Sequence, residues 1–194
     1  MYKDPVSVEY HDHEWCKPNH NDRLQFEMLC LEGASVGLSW ATILHKREAY
    51  RKAFHGFRID ACASMSDEEL EALLLNPGII RNRGKVFSVR KNALAVKIIQ
   101  AEYGSFDAYL WGFTDGNIID GHWKAPSDIP TVSEISKAMS KDMKKRGMGF
   151  VGPTITYSFL QSIGIVNDHL ADCEYRKDFQ DRFIHFCNKT QVTA

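Results

Sequence analysis

Apolar side chains recur at three- and four-residue spacing along most of this 194-residue chain, and glycine, proline and short polar stretches separate the runs. This spacing places the apolar positions on one face of a helix. The predicted helices cover residues 22–32, 40–54, 66–74, 83–102, 105–113, 131–146 and 153–163. No stretch alternates apolar and polar residues for long enough to build a sheet. The pattern therefore predicts an all-α fold with two helical lobes and a groove between them.

Two regions lack this periodicity. Residues 1–20 are rich in His, Asp, Asn and Pro and are predicted to form an irregular arm. Residues 114–130 form a polar loop with several turn formers, for which no regular structure is expected. We interpret residues 1–175 as one domain and residues 176–194 as a C-terminal extension that is predicted to be helical.

Composition narrows the class of protein. With 44% hydrophobic residues, the chain can bury the core of one domain. Its net charge of −1 does not favour nucleic acid, so any affinity for DNA requires a local basic face. Five cysteines, no secretory leader and no apolar run of membrane-spanning length predict a reduced cytoplasmic protein without a disulfide framework or a membrane partner. We expect a monomer.

The segment LEGASVGLSW, residues 31–40, brings an acid and a large ring to one turn. A capping box that starts at Asp22 is predicted to open the preceding helix, and Gly33 to end it just after Glu32. The next helix begins its buried face with Trp40. Glu32 and Trp40 thus flank one turn, as an active-site acid and ring would. The alternative is a solvated helix-end acid beside a core tryptophan.

A glycine-rich hairpin between two predicted helices is the second candidate functional segment. Its glycines let backbone N–H groups approach a phosphate beside the N-terminus of the helix that Pro153 opens. Basic side chains stand just before it. The alternative is an ordinary packing corner with solvated lysines. The residues expected to contact DNA are Lys144, Lys145, Arg146, Gly147, Gly149 and Gly152.

Four segments in one order carry a resemblance to a known family. They are YHDHEW (residues 10–15), LEGASVGLSW (31–40), GIIRNRGKV (78–86) and GFVGPTITYSFLQSIGIVNDHLADC (149–173). Together they resemble the bacterial 3-methyladenine DNA glycosylase I family, which belongs to the helix-hairpin-helix superfamily. The resemblance covers roughly residues 4–175 and implies a two-lobed helical glycosylase fold.

The resemblance implies DNA base-excision repair. The expected reaction is hydrolysis of the N-glycosidic bond of 3-methyladenine in double-stranded DNA, which releases the free base and leaves an abasic site. Many enzymes with this hairpin carry an aspartate where this chain has Asn167, and the amide agrees with the 3-methyladenine group. Because a 3-methylated adenine is cationic, its glycosidic bond is weak, and departure of the base needs little acid catalysis. No lysine is implicated as a nucleophile, so strand cleavage is not expected.

The family's base pocket matches an acid and three aromatic residues here. The resemblance assigns Glu32 to a hydrogen bond with the base edge and makes it the catalytic residue. It assigns Tyr10 and Trp40 to stacking and Trp15 to a pocket wall. An anion and ring faces suit a flipped cationic purine. Leu38 is expected to act as an apolar wedge in the base stack. The alternative for each aromatic residue is core packing.

A zinc site is a further implication. His169 and Cys173 have the i, i+4 spacing of a zinc half-site, and the resemblance makes His11 a third ligand. The family's fourth ligand, a cysteine in a segment like R-C-x-W, would fall before Met1. Three alternatives stay open: a start truncated relative to a fuller protein, loss of the metal, or a fourth ligand from Cys16, which replaces a family glycine. The missing ligand slightly favours a protein without tightly bound zinc.

A rival hypothesis comes from a different class of protein. The chain would be a non-catalytic DNA-binding or lesion-sensing module that keeps the hairpin and has lost the pocket. Release of base from methylated DNA discriminates the two.

Overall fold

A computed structural model describes residues 4–176, and these residues fold around one contiguous hydrophobic core. The α-helices are α1 (Pro5–His13), α2 (Asp22–Ser35), α3 (Trp40–Ala53), α4 (Ile59–Ala63), α5 (Asp67–Leu73), α6 (Arg83–Tyr103), α7 (Phe106–Trp111), α8 (Glu134–Lys145) and α9 (Pro153–Ser162). Single 3₁₀ turns cover His55–Phe57, Gly112–Thr114, Pro126–Asp128 and Glu174–Arg176. The all-α prediction is confirmed. The predicted helical extension lies almost wholly outside the described residues.

Helix α2 is the central element and packs against α3, α6, α7 and α9. Ten consecutive residues of it, from Gln25 to Ala34, are buried. A helix that is buried on all sides must satisfy its polar side chains internally or present them to a ligand. Its polar residues therefore decide where chemistry can occur.

The prediction of an irregular arm was wrong, because residues 5–13 form α1. Asp4 caps this helix by accepting hydrogen bonds from the Ser7 amide and hydroxyl, and Pro5 follows at the first helical position. Only Ser7 and Tyr10 of α1 are buried. A helix with so short a buried face has no periodic apolar stripe, so the pattern missed it.

Both predicted boundaries of α2 were also wrong. The N-cap is Asn21, whose side chain accepts the Leu24 amide. Asp22 instead reaches across to α7 and accepts the amides of Phe106 and Asp107. The helix continues through Gly33 because this glycine serves packing: a Cβ there would lie 3.2 Å from the Cβ of Phe150.

The local signals between α2 and α3 were read correctly. Gly37 has a φ of 77°, which favours glycine, and Ser39 caps α3 by accepting the Thr42 amide. Pro153 is the first residue of α9, and Gly147 ends the turn after α8 with a φ of 86°. Gly37 and Ser39 hold Glu32 and Trp40 on either side of one turn, as predicted.

The region 114–130 contains regular structure that was not expected. Its strand β1 (Ile119–Asp120) pairs in parallel with β2 (Val166–Asn167). The pairing ties this loop to the segment that leads into His169. Among residues 4–176, no helix is both long and apolar enough to cross a membrane.

Candidate active site

Glu32 lies in the last turns of α2 and is 6% exposed. Within residues 4–176 its carboxylate makes no hydrogen bond or ion pair. Burial raises the pKa of Glu32 from 4.5 to about 8, because the charged form loses hydration and gains no partner. A buried acid without a partner is costly for folding and is typical of a binding or catalytic group.

Tyr10 and Trp40 lie beside this acid. Their ring centroids are 5.4 Å apart and their planes are tilted by 58°. The Tyr10 hydroxyl and the Trp40 indole nitrogen are both buried without a hydrogen-bond partner in the described chain. Burial and the nearby charge of Glu32 raise the pKa of Tyr10 well above its usual value. The structure thus brings together three predicted side chains with unsatisfied polar groups, from α1, α2 and α3.

Trp15, the predicted pocket wall, makes ring contacts with two histidines. Its ring stacks on His11, with centroids 5.5 Å apart, and meets His169 edge-on at 4.9 Å. These contacts put Trp15 beside the candidate metal ligands.

The three predicted metal ligands do come together. Ligand atoms of His11, His169 and Cys173 all lie within 4.8 Å of one another. The His169 Nδ1 and Cys173 Sγ atoms are 3.5 Å apart. Burial and the nearby His11 lower the pKa of His169 to about 4, so its ring is neutral, as a metal ligand must be. This donor set of two imidazoles and a thiol fits three positions of a structural zinc site.

Cys16 is not part of this group in the described chain. It is fully buried, and its sulfur accepts the Asp168 amide at 3.3 Å. Its φ is 58°, in the left-handed region that favours glycine. This backbone explains why the family pattern has a glycine at the position.

Asn167 and Asp168 follow α9 at the place of the superfamily's catalytic aspartate. The Asn167 side chain accepts the His169 amide at 3.2 Å. Asp168 is 1% exposed, and its oxygens accept from Trp123, Tyr157 and Gln161 at 2.6–2.7 Å. The Asp168 carboxylate therefore ties the loop 114–130 to α9, and its oxygens are not free for a substrate.

The glycine hairpin between α8 and α9 offers fewer free amides than the sequence indicated. The Gly147 amide donates to the Lys144 carbonyl, and the Gly149 amide donates to the Asn92 side chain. At Gly152 the N-terminus of α9 has no side-chain cap. Its first intrahelical bond comes from the Thr156 amide, so the amides before it stay open for an anion.

The basic side chains near the hairpin differ in their freedom. Lys144 and Lys145 are exposed and have no ion-pair partner in the part of the chain described. Arg146 is engaged: it bonds Asp142 and Glu102 at 2.6 Å, which raises its pKa. Arg146 therefore fastens α8 to α6 and is not a free phosphate ligand.

Two exposed residues complete this surface. Lys91 of α6 lies beside the hairpin, with its Cε 4.0 Å from a Cβ placed on Gly147. The sequence showed it only as one of several basic residues on α6. Leu38, predicted as a wedge, is 44% exposed in the turn before Trp40.

Comparison with known proteins gives a consistent result. A family model described as methyladenine glycosylase matches residues 1–177. The DNA-3-methyladenine glycosylase of Haemophilus influenzae is 42% identical over 168 residues, which are 87% of this chain and 91% of the relative. DNA-3-methyladenine glycosylase 1 of Escherichia coli K12 is 43% identical over 171 residues, 88% of this chain and 91% of the relative.

A solved structure is similar as well. The 3-methyladenine DNA glycosylase I of Staphylococcus aureus, whose structure concerns recognition of 3-methyladenine, is 37% identical with a TM-score of 0.88. The match covers 90% of this chain and 93% of that chain. The helical fold, the glycine hairpin and the buried acid with its two rings define a glycosylase of the helix-hairpin-helix class. Given the family model and these identities, the chain belongs to the methyladenine glycosylase family.

Proposed function

We propose that this chain hydrolyses the N-glycosidic bond of 3-methyladenine in alkylated DNA, releasing the base and leaving an abasic site. The observation that carries the proposal is the buried, partnerless carboxylate of Glu32 beside the unsatisfied polar groups of Tyr10 and Trp40. The chain's relatives have this activity by name.

The pocket chemistry suits a cation. A purine methylated at N3 and still joined to deoxyribose carries a positive charge, which an ionised Glu32 can balance. The Glu32 oxygens can also accept from the exocyclic amine, while the ring faces of Tyr10 and Trp40 attract the delocalised charge. Binding of the cation stabilises the ionised form of Glu32 and lowers its raised pKa.

The charge of the base also explains the lack of a general acid. When the N-glycosidic bond breaks, its electron pair moves to the base, which leaves as neutral 3-methyladenine. Water adds to the sugar carbon and loses a proton to solvent. Asn167 cannot donate as an acid, and the Asp168 oxygens are held by three donors. Glu32 therefore contributes by binding the extruded base, and no side chain is required to form a covalent intermediate.

Double-stranded DNA is the proposed partner, bound by a monomer. The open amides at the start of α9 and the exposed Lys144, Lys145 and Lys91 can contact phosphates without reading sequence. Leu38 is placed to enter the base stack as the nucleotide leaves it. The missing fourth ligand favoured a protein without tightly bound zinc, but the convergence of His11, His169 and Cys173 supports the alternative, in which they would hold a structural zinc ion that ties α1 to the segment after β2.

The test is base release from methylated duplex DNA, analysed by chromatography. We expect free 3-methyladenine from the wild-type chain and intact strands at the abasic sites. Duplex binding without any release would favour the rival, a DNA-binding module that has lost the reaction.

A further inference from the structure

One guanidinium connects α1, α2 and α3, the helices that carry Tyr10, Glu32 and Trp40. Arg47 of α3 is 11% exposed at its side chain. Its Nε donates to the Glu27 carboxylate of α2 at 2.6 Å. Its Nη1 donates to both oxygens of Glu14, at 2.8 and 2.7 Å. Glu14 is the C-cap residue of α1.

Each bond of Arg47 leads directly to the element that carries a pocket residue. The Glu14 amide donates to the Tyr10 carbonyl at 2.9 Å, so fixing Glu14 also fixes the last turn of α1. Glu27 is fully buried in α2, five positions before Glu32. Arg47 itself lies two turns after Trp40 on α3.

We infer that Arg47 is a positioning residue that sets the mutual placement of Tyr10, Glu32 and Trp40 for the base. This inference rests on the proposed function of these three side chains. Arg47 has no contact with the base in this scheme and acts only through Glu14 and Glu27.

Comparison with Arg51, one turn further along α3, shows which bond only Arg47 makes. Arg51 also donates to Glu27, at 2.9 Å, so Glu27 has a second cation. Arg51 pairs otherwise with Glu48 on its own helix and so joins only α2 and α3. The distinctive bond of Arg47 is therefore the one to Glu14, which fastens α1 to the other two helices.

The geometry also explains why this residue is an arginine. The guanidinium presents several N–H donors in a fixed plane and can serve two carboxylates at once. A lysine keeps the charge but offers a single point donor on a flexible chain. It stays paired with the fully buried Glu27 and cannot also hold the half-exposed Glu14 in the same geometry. Three acids, Glu14, Glu27 and Glu48, pair with three arginines, Arg23, Arg47 and Arg51, so the cluster has no net charge that would repel a cationic base.

The experiment compares two matched pairs of variants. Arg47→Lys and Glu14→Ala break the link to α1, while Arg51→Lys and Glu48→Ala alter the same ionic cluster without touching α1. Affinity for free 3-methyladenine is measured by NMR titration well below each melting temperature. Affinity for undamaged duplex DNA serves as a second readout, because it depends on the hairpin.

We expect Arg47→Lys and Glu14→Ala each to weaken base affinity about five- to tenfold, as small misplacements of binding groups do. The double variant should be no worse than either single variant, because both remove one link. Arg51→Lys and Glu48→Ala should stay within about twofold of wild type, and all four should bind undamaged duplex normally.

Three results would overturn the inference alone. These are wild-type base affinity in Glu14→Ala or Arg47→Lys, additive losses in the double variant, or an equal loss in Arg51→Lys. Glu14→Ala keeps the test decisive if Arg47→Lys fails to fold, because half of the Glu14 side chain is exposed. A wild-type chain that neither binds nor releases 3-methyladenine would overturn the proposed function together with this inference.

Discussion

Replacing Glu32 with glutamine should stabilise the free protein while damaging its function. The carboxylate is buried and has no partner among residues 4–176, and its pKa is raised from 4.5 to about 8. Glutamine has nearly the same shape and never ionises. The substitution therefore removes the cost of ionising a buried acid and leaves the packing of α2 unchanged.

The sign and size of the effect follow from proton linkage. The folded chain holds the Glu32 proton more tightly than the unfolded chain, whose pKa is near 4.5. The stability that the folded chain gains by holding this proton is therefore complete below pH 4.5 and is lost as the pH rises to about 8. Each pH unit in this window costs about 1.4 kcal/mol, so the loss is about 3 kcal/mol at pH 7.

The assay is urea denaturation of wild type and Glu32→Gln at pH 5, 7 and 8.5. The stability advantage of the variant should grow by about 2.5 kcal/mol between pH 5 and pH 7. Glu9→Gln serves as the control, because the Glu9 side chain is 75% exposed. Its difference from wild type should stay small throughout.

The same variant should bind 3-methyladenine at least about tenfold more weakly, because it loses a charge-assisted hydrogen bond worth about 1.5–3 kcal/mol. An advantage that does not change with pH, or a destabilised variant, would refute the interpretation of Glu32 as a buried acid without a partner. Unchanged base affinity by NMR titration would refute its role in the pocket.

Three further predictions concern pH, DNA and metal. Because the methylated nucleotide is cationic and Glu32 must ionise to balance it, kcat/KM for excision should rise toward pH 8 and should be flat in Glu32→Gln. Lys144→Glu with Lys145→Glu should weaken duplex binding for any sequence and reduce the salt slope by about 2, measured by titration at several salt concentrations; an unchanged slope would place the DNA face elsewhere. Zinc added to chelator-treated protein should bind one-to-one, as measured by elemental analysis, and His169→Ala should abolish it; equal zinc in the variant would exclude this cluster as the site.

The sequence was sufficient for features that depend on near neighbours in the chain. Helix caps such as Ser39, the proline that opens α9 and the turn at Gly37 act within a few residues, so local rules identify them. Local pattern also singled out Glu32 and Trp40, and the family resemblance added Tyr10 and the role of each residue in base binding. The short helix α1 was not predicted, because it buries too few side chains to produce a periodic pattern.

The remaining features depend on residues that are distant in the chain. Gly149 was predicted to contact DNA, yet its amide donates to the side chain of Asn92, 57 positions earlier. Arg146 was predicted to contact DNA, but it is paired with Glu102, which lies 44 positions earlier in the chain. Nothing in the sequence singled out Arg47. Its proposed role depends on hydrogen bonds to Glu14 and Glu27, which only folding brings together. A hydrogen bond is made by position in space, and sequence spacing beyond a few residues does not fix that position.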